Sequence, residues 1–476
     1  MTWMAEFIRN AFIFIVSLSW LRNLIGSSIA FWMAWVVIPL VMEIIPSFSN
    51  YFILLIRKIK RRKGTPTLAY QPEISLIVPV YNSSDSLYRC IKSIRDSTYP
   101  SKLVSIILSN NGSTDDSFKI FTQCQEDFPE LIISWINSKQ GKSKALNLAL
   151  FNSNSKYIIH IDSDGILHPK ALNNIVEMFE HESSVDCATG TIMVNPEMID
   201  DTPKFFLRFL RKLEFFEYCQ AFLAGRTFQS EFNAIYTMSG AFSAFRKSAI
   251  LKTQMFNTDT VCEDTHLTFQ LRDTLKSKVT ICDSAFFFVD PIPDLNTLYT
   301  QRQRWQRGEM EVIHMFMKNK LFVVKGIVSS FVLRILMYDH TFAFPRMIWY
   351  FALLCLAFLN YPMRLVVISI IIIYLLYVLS GFLYYNNILL FLNNEKDLRR
   401  YYARKWYLVF FSPLFNFLVF WFRFAGIINS IDGKQTWKAK NLSEETSIVK
   451  GVVQDDFKWW IRLANKMDYL LNNYER

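Results

Sequence analysis

Apolar residues are not spread evenly along this chain. Residues 1–56 and about 325–430 hold the long uncharged runs, whereas 70–310 alternates between short β-rich stretches and helix-periodic ones. Within the middle block, EISLIVPVYN (73–82), LVSIILSNNGS (103–113) and KYIIHIDSD (156–164) read as strands. SDSLYRCIKSIRDS (84–97) and GKSKALNLALFNS (141–153) read as helices. Strands separated by helices predict an α/β fold with a mostly parallel sheet, joined by helical crossovers. In an open sheet of this kind ligands bind beyond the carboxyl ends of the strands.

A membrane-spanning helix needs about 20 mostly apolar residues. The stretches 27–56, 344–361, 365–385 and 406–428 reach that length. The run at 11–21 is about half a span, and 323–338 carries Arg334, which favours a helix lying at the interface. In DDFKWWIRLANKMDYLL near the end, Phe457, Trp460, Ile461, Ala464, Met467 and Leu471 fall at helical spacing. That pattern suits an amphipathic helix on a membrane, or equally one docked on a domain. The expected organisation is an N-terminal membrane segment (1–56), an aqueous domain with interfacial helices (57–322), C-terminal interfacial and spanning helices (323–430) and a tail (431–476).

Charge and cysteine usage refine this picture. The formal net charge is +11, but basic residues cluster beside apolar segments, as in RKIKRRK (57–63) and KFFLRFLRK (204–212). That favours an anionic membrane surface over nucleic acid, for which no recognised module is present. Basic residues stay on the cytoplasmic side, so the middle domain is expected in the cytoplasm of a multi-pass plasma-membrane protein. The seven cysteines show neither CxxC nor a zinc-like Cys/His spacing and fit reduced thiols.

Three constellations carry candidate chemistry. Asp162 and Asp164 stand two positions apart, so on an extended backbone both side chains point the same way. Converging carboxylates beside a phosphate suit Mg2+ or Mn2+, although Asp-Ser-Asp-Gly is also ordinary turn chemistry. Glu263 and Asp264 precede an apolar-periodic helix, where acids serve as N-terminal dipole partners or, for a sugar hydroxyl, as a general base. Gln301, Arg304 and Trp305 stand at i, i+3 and i+4 and share one helix face, able to wall a pocket and clamp a phosphate or sugar. The alternative there is a basic interfacial helix, since Arg302 and Arg307 are also present. Two weaker features are Lys142 at a helix start, a natural phosphate position, and the small residues Ser239, Gly240 and Ala241 as an acceptor rest.

Taken in order, PVYN, NNGSTD, GKSKALN, DSD, SGAF, ED and QRQRW, followed by apolar spans, resemble the membrane-embedded family 2 glycosyltransferases over roughly residues 70–430. That group contains the cellulose, chitin, hyaluronan and poly-N-acetylglucosamine synthases. The resemblance implies a GT-A (Rossmann-like) fold, a UDP-sugar donor, a divalent ion and inversion at the anomeric carbon. It implies that Asp162 contacts UDP, that Asp164 binds the metal with the diphosphate, and that Asp264, beside Glu263, is the base. Gln301, Arg304 and Trp305 would hold the acceptor end and cover the diphosphate. Tyr81, Asn82 and Lys142 would line the nucleotide site. Where the family usually has an acidic pair before Gly-Ser, this chain has Asn110 and Asn111, whose carbonyls can still accept a hydrogen bond. The expected product is a β-linked polysaccharide, N-acetylglucosamine being the first choice of sugar. A single transfer to a lipid-linked or short acceptor stays open, as does a non-catalytic subunit working with export or modification partners.

Overall fold

The computed structural model describes residues 45–60, 70–260, 262–317 and 363–431, with Ala352 and Cys355. The expected segments at 11–21 and 323–338, the tail, most of 344–361 and the first part of 27–56 lie outside the described residues.

The centre of the molecule is one eight-stranded sheet. Strand β1 (Ile74–Val80) is an unbroken apolar run buried along its whole length. Such a run forms where a strand is covered on both faces, as in parallel sheets. β1 pairs in parallel with β2 (Val104–Asn110) on one side and β4 (Tyr157–Ile161) on the other. β3 (Ile132–Asn137) adds a parallel edge with alternating exposure. The crossovers are α2 (Leu87–Arg95), α3 (Ser117–Asp127) and α4 (Lys142–Asn152). In α2, Leu87, Cys90, Ile91 and Ile94 are buried at helical spacing, making the apolar stripe that lies on the sheet.

Beyond β4 the sheet is mixed. β7 (Phe242–Arg246) runs antiparallel to both β4 and β6 (Val185–Val194), while β6 is parallel to β8 (Lys278–Val289). A two-residue strand β5 (Ile166–Leu167) closes the far edge against β8, antiparallel, and helix α5 (Ala171–His181) leads from it to β6. The parallel expectation therefore holds for the first four strands in space and fails where β7 inserts. At that crossing Gly190 of β6 is required sterically, since a Cβ there would stand 2.1 Å from the Phe242 ring.

Outside the sheet, α6 (Phe205–Tyr218), α7 (Glu263–Phe269) and the long α8 (Leu295–Met317) frame one end of the domain. A helical group follows: α1 (Ile45–Lys60), α9 (Met363–Phe391), α10 (Lys396–Ala403) and α11 (Leu408–Ile431). Helices Val366–Asn394 and Leu408–Asn429 are long and apolar enough to cross a membrane. α1 packs on α9 through Ser47 Oγ to Ser380 Oγ (2.6 Å) and Asn50 Nδ2 donating to Tyr384 Oη (3.2 Å). Arg57, expected at a lipid surface, is instead buried against the domain, ion-paired to Glu231 at 2.6 Å and Asp283 at 3.7 Å.

Candidate active site

The order β2-β1-β4 puts the loops after these three strands side by side at one end of the sheet. The chain leaves β1 toward β2 in one direction and reaches β4 in the other, which opens a crevice at the strand ends. The loop after β1 begins with exposed Tyr81 and with Asn82, whose φ of 48° lies in the left-handed region that asparagine tolerates. Asn82 Oδ1 accepts from Thr114 N (2.9 Å), and its own N–H donates to Ser113 Oγ (3.1 Å). Asp115 accepts from Ser84 N at 2.8 Å, so the first two loops are stitched into one wall.

Asn110 and Asn111 extend that wall. Asn110 Oδ1 accepts from Ser113 N (2.9 Å) and its Nδ2 donates to Asn137 Oδ1 (3.0 Å). Asn111 Oδ1 accepts from the N–H of Gly141. Gly141, at φ 132°, turns the chain into α4, so Lys142 becomes the first residue of that helix.

Lys142 reaches across the crevice. Its Nζ lies 2.7 Å from Asp162 Oδ1 and 3.6 Å from Glu263 Oε1. Burial works against the charged ammonium, yet Asp162 and Glu263 hold Lys142 above the ordinary lysine range. Burial likewise opposes the Asp162 carboxylate, but Lys142 and then His160 keep it well below the usual range. His160 is buried in β4 with Nε2 3.5 Å from Asp162 Oδ1, and burial holds its imidazole below the ordinary value.

The two aspartates are not on an extended strand. β4 ends at Ile161, and Asp162–Gly165 form a turn. Ser163 Oγ meets Ser83 Oγ at 2.8 Å, and Arg89, ion-paired to Asp290, also reaches the Asp164 carbonyl at 3.5 Å. A Cβ at Gly165 would stand 2.3 Å from the Phe287 ring, so the turn must pass a glycine there. Asp164 opens to solvent at the crevice mouth, while crowding by protein and the Asp162 charge push its carboxyl up to about 6. No basic side chain forms an ion pair with Asp164 among the described residues. Nor, among them, do three or more His, Cys, Asp or Glu side chains gather as a self-sufficient metal cage. A turn carboxylate that lacks a cation, beside Asp162, fits a divalent ion completed by substrate oxygens and water.

Glu263 and Asp264 open α7. Glu263 is buried, and burial raises its carboxyl, with Lys142 opposing and Asp264 adding to the rise. Asp264 Oδ1 accepts from Thr265 N (2.6 Å), and its Oδ2 faces Gly240, where a Cβ would stand only 2.8 Å away. Ser239, buried beside it, donates its N–H to Thr189 Oγ1 at 3.0 Å. The SGAF turn and the acid pair are thus brought together.

Gln301, Arg304 and Trp305 lie on α8, which packs against α7. Gln301 and Trp305 are half-buried and Arg304 is exposed, its charge within reach of Cys262 beside the acid pair. The spacing singled out Arg304, but the structural centre of this stretch is Arg302. It is fully buried, ion-paired to Glu217, and stacked 4.4 Å from the Trp305 ring centroid. Its sequence signal is position, since Leu298, Arg302, Glu309 and Val312 share the buried stripe of α8.

The GT-A fold thus carries a crevice at the carboxyl ends of parallel strands, with a lysine-neutralised aspartate, a second aspartate short of a cation and an acid pair on a facing helix. The model of the family described as Glycosyl transferase family 2 matches residues 75–253. The chain is 25% identical over 271 residues to the poly-beta-1,6-N-acetyl-D-glucosamine synthase of Staphylococcus aureus, covering 57% of this chain and 62% of that protein. With the Staphylococcus epidermidis synthase of the same name it shares 25% identity over 240 residues, 50% of this chain and 55% of that one. The matches thus span about three fifths of those relatives. A mannosyltransferase from Pyrobaculum calidifontis, solved with GDP-Man and Mn2+, superposes with a TM-score of 0.55 at 15% identity, over 85% of this chain and all of that one, which establishes the shared fold.

Proposed function

We propose that this chain is an inverting glycosyltransferase that moves a sugar, N-acetylglucosamine first, from a UDP-sugar onto a growing β-linked polysaccharide. The observation that carries the reading is the single charge cluster in which Lys142 bridges Asp162 and Glu263 while Asp164 and Asp264 flank it. The choice of sugar rests on the names of the staphylococcal relatives.

In this reading Tyr81, Asn82, Asn110 and Asn111 receive the nucleoside, and Lys142 and Asp162 receive the diphosphate. Asp164, with Asp162, would hold Mg2+ or Mn2+, which when bound supplies Lewis-acid stabilisation of charge on the departing diphosphate. Arg304 adds positive charge at the same end. Asp264, steadied by the Thr265 N–H and seated on Gly240, removes the proton of the attacking acceptor hydroxyl. Attack opposite the leaving group inverts the anomeric carbon. Ser239, Gly240 and Trp305 form the acceptor rest, and Glu263 helps to hold Lys142 in place.

The membrane assignment is part of the same proposal. α9 exposes Val367, Ile368, Ile371 and Leu375, a surface suited to lipid. Between the candidate spans, Glu395 lies 3.4 Å from Lys170 and 3.5 Å from His168 of the catalytic domain. Exposed Arg399, Arg400 and Lys396 follow it, so this loop shares the catalytic domain's side, the cytoplasm by the positive-inside rule. The test is to supply labelled UDP-N-acetylglucosamine to the full chain in nanodiscs and size the product. A ladder of long β-linked chains is expected. A label confined to organic-extractable single adducts would favour transfer to a lipid-linked acceptor, and incorporation only from another UDP-sugar would overturn the donor.

A further inference from the structure

An ionic chain of half-buried and buried side chains runs from the candidate spanning helix α11 to the residues beside the acceptor rest. Arg423 of α11 approaches Glu217 Oε1 at 3.6 Å, and Glu217 Oε2 is ion-paired to Arg302 of α8. Arg302 then touches both half-buried members of the motif. Its Nη1 donates to Gln301 Oε1 at 3.1 Å, and its guanidinium lies 4.4 Å from the Trp305 ring centroid. Tyr218 covers the guanidinium from another direction at 5.4 Å. Gly426 completes the contact, because a Cβ there would stand 2.6 Å from the Gln303 carbonyl oxygen, so α11 and α8 meet backbone to backbone.

An arginine with no exposed surface cannot itself meet a substrate. Its planar fork can, however, fix a neighbouring amide and an aromatic ring together, which a lysine in the same place cannot do as well. We propose that Arg302 is a positioning residue. It sets the orientation of Gln301 and Trp305, and Glu217 ties that orientation to the placement of α11 through Arg423. A shift of α11 is then felt at the acceptor rest through contiguous charge pairs and helix packing. The functional half of this inference rests on the acceptor role proposed above for Trp305; the structural coupling does not.

The test uses full-length protein in nanodiscs labelled with fluorotryptophan. Among the lines of its twelve tryptophans, that of Trp305 is assigned by its loss in Trp305→Phe. Arg423→Leu removes a group on a different helix from Trp305. It is expected to shift the Trp305 line, as are Glu217→Gln and Arg302→Lys. Transfer from UDP-N-acetylglucosamine should fall at least about tenfold in Arg302→Lys, as expected for a misplaced reacting partner. UDP affinity should change by less than transfer does, since the partners of Arg302 are Glu217, Gln301, Trp305 and Tyr218 rather than Lys142 or Asp162. Folding is checked by monodispersity, and the double variant Arg302→Met/Glu217→Gln provides a neutral core if a lone buried charge prevents folding. A Trp305 line that stays put in folded Arg423→Leu and Glu217→Gln would overturn the coupling. UDP affinity falling in parallel with transfer would reduce Arg302 to a general structural anchor. If wild type turns over no UDP-sugar, the proposed activity fails, while the line shifts still decide the coupling.

Discussion

The carboxylate of Asp264 rests on the backbone of Gly240, so closely that a Cβ at that glycine would come within 2.8 Å of Oδ2. The glycine's conformation does not demand it; the acid does. Gly240→Ala should therefore displace the carboxylate and lower transfer by about tenfold to a hundredfold, because a base must stay within hydrogen-bond reach of its proton. UDP affinity should be unchanged. Wild-type transfer rates in Gly240→Ala would show that this contact is incidental.

Lys142 is the one side chain that links Asp162 to Glu263 in the described crevice. Replacing it with Met removes the cation that keeps Asp162 ionised and the charge available to a diphosphate. Affinity for UDP should drop about tenfold or more, in line with the strength of charge-assisted contacts to phosphate. Titration calorimetry with UDP and Mn2+ measures this directly, and an unchanged Kd would remove Lys142 from the nucleotide site.

Chelation provides the test of Asp164. UDP release should stop in excess EDTA and return with Mn2+. Asp164→Asn should need about ten times more Mn2+ to reach half-maximal rate, a typical cost of disturbing a metal's surroundings. Turnover indifferent to EDTA would assign the aspartate pair to the turn alone.

Glu214 gives a prediction for stability. It is buried beside the Arg302 cluster and accepts from Ile292 N at 3.1 Å. Burial pushes its carboxyl from 4.5 up to about 7, against the pull of Arg302. The folded state therefore binds the proton more tightly than the unfolded chain. Its stabilising contribution is present below pH about 4.5 and is lost as pH rises through about 7. Glu214→Gln keeps an acceptor for Ile292 without the titration. The variant's thermal midpoint should fall less than the wild type's between pH 5 and 8, by an amount on the order of a few kcal/mol in stability. Parallel profiles would place the proton elsewhere.

How legible the molecule is from sequence depends on where the determining forces lie. β1, β2, β4, α2 and α4 are readable because each is a continuous apolar run or a clean helical stripe whose burial is set locally. β7 is not readable as antiparallel, because its direction is decided by pairing with strands β4 and β6, distant in the chain. The aspartate pair is visible, but not the end of β4 at Ile161, and that one-residue boundary converts an extended pair into a turn. Lys142, Asp162, Glu263 and Asp264 were each legible as chemistry, whereas their convergence depends on loops after different elements. Spacing pointed to Arg304, which is exposed. The buried partner, Arg302, could be found only by asking which polar residues share the stripe of Leu298 and Val312. Likewise RKIKRRK reads as a membrane-surface cluster, yet Arg57 is drawn inward by Glu231 and Asp283, acids far away in the chain.

The most direct test of the account compares wild type and Asp264→Asn, purified in nanodiscs with Mn2+ and offered UDP-sugars one at a time. The account predicts UDP release and sugar incorporation from one donor, N-acetylglucosamine first, with both falling by about a hundredfold or more in the variant while UDP still binds. Equal UDP release by the variant would contradict the assignment of the base and point to hydrolysis. No turnover from any donor by folded wild-type protein would contradict the activity itself.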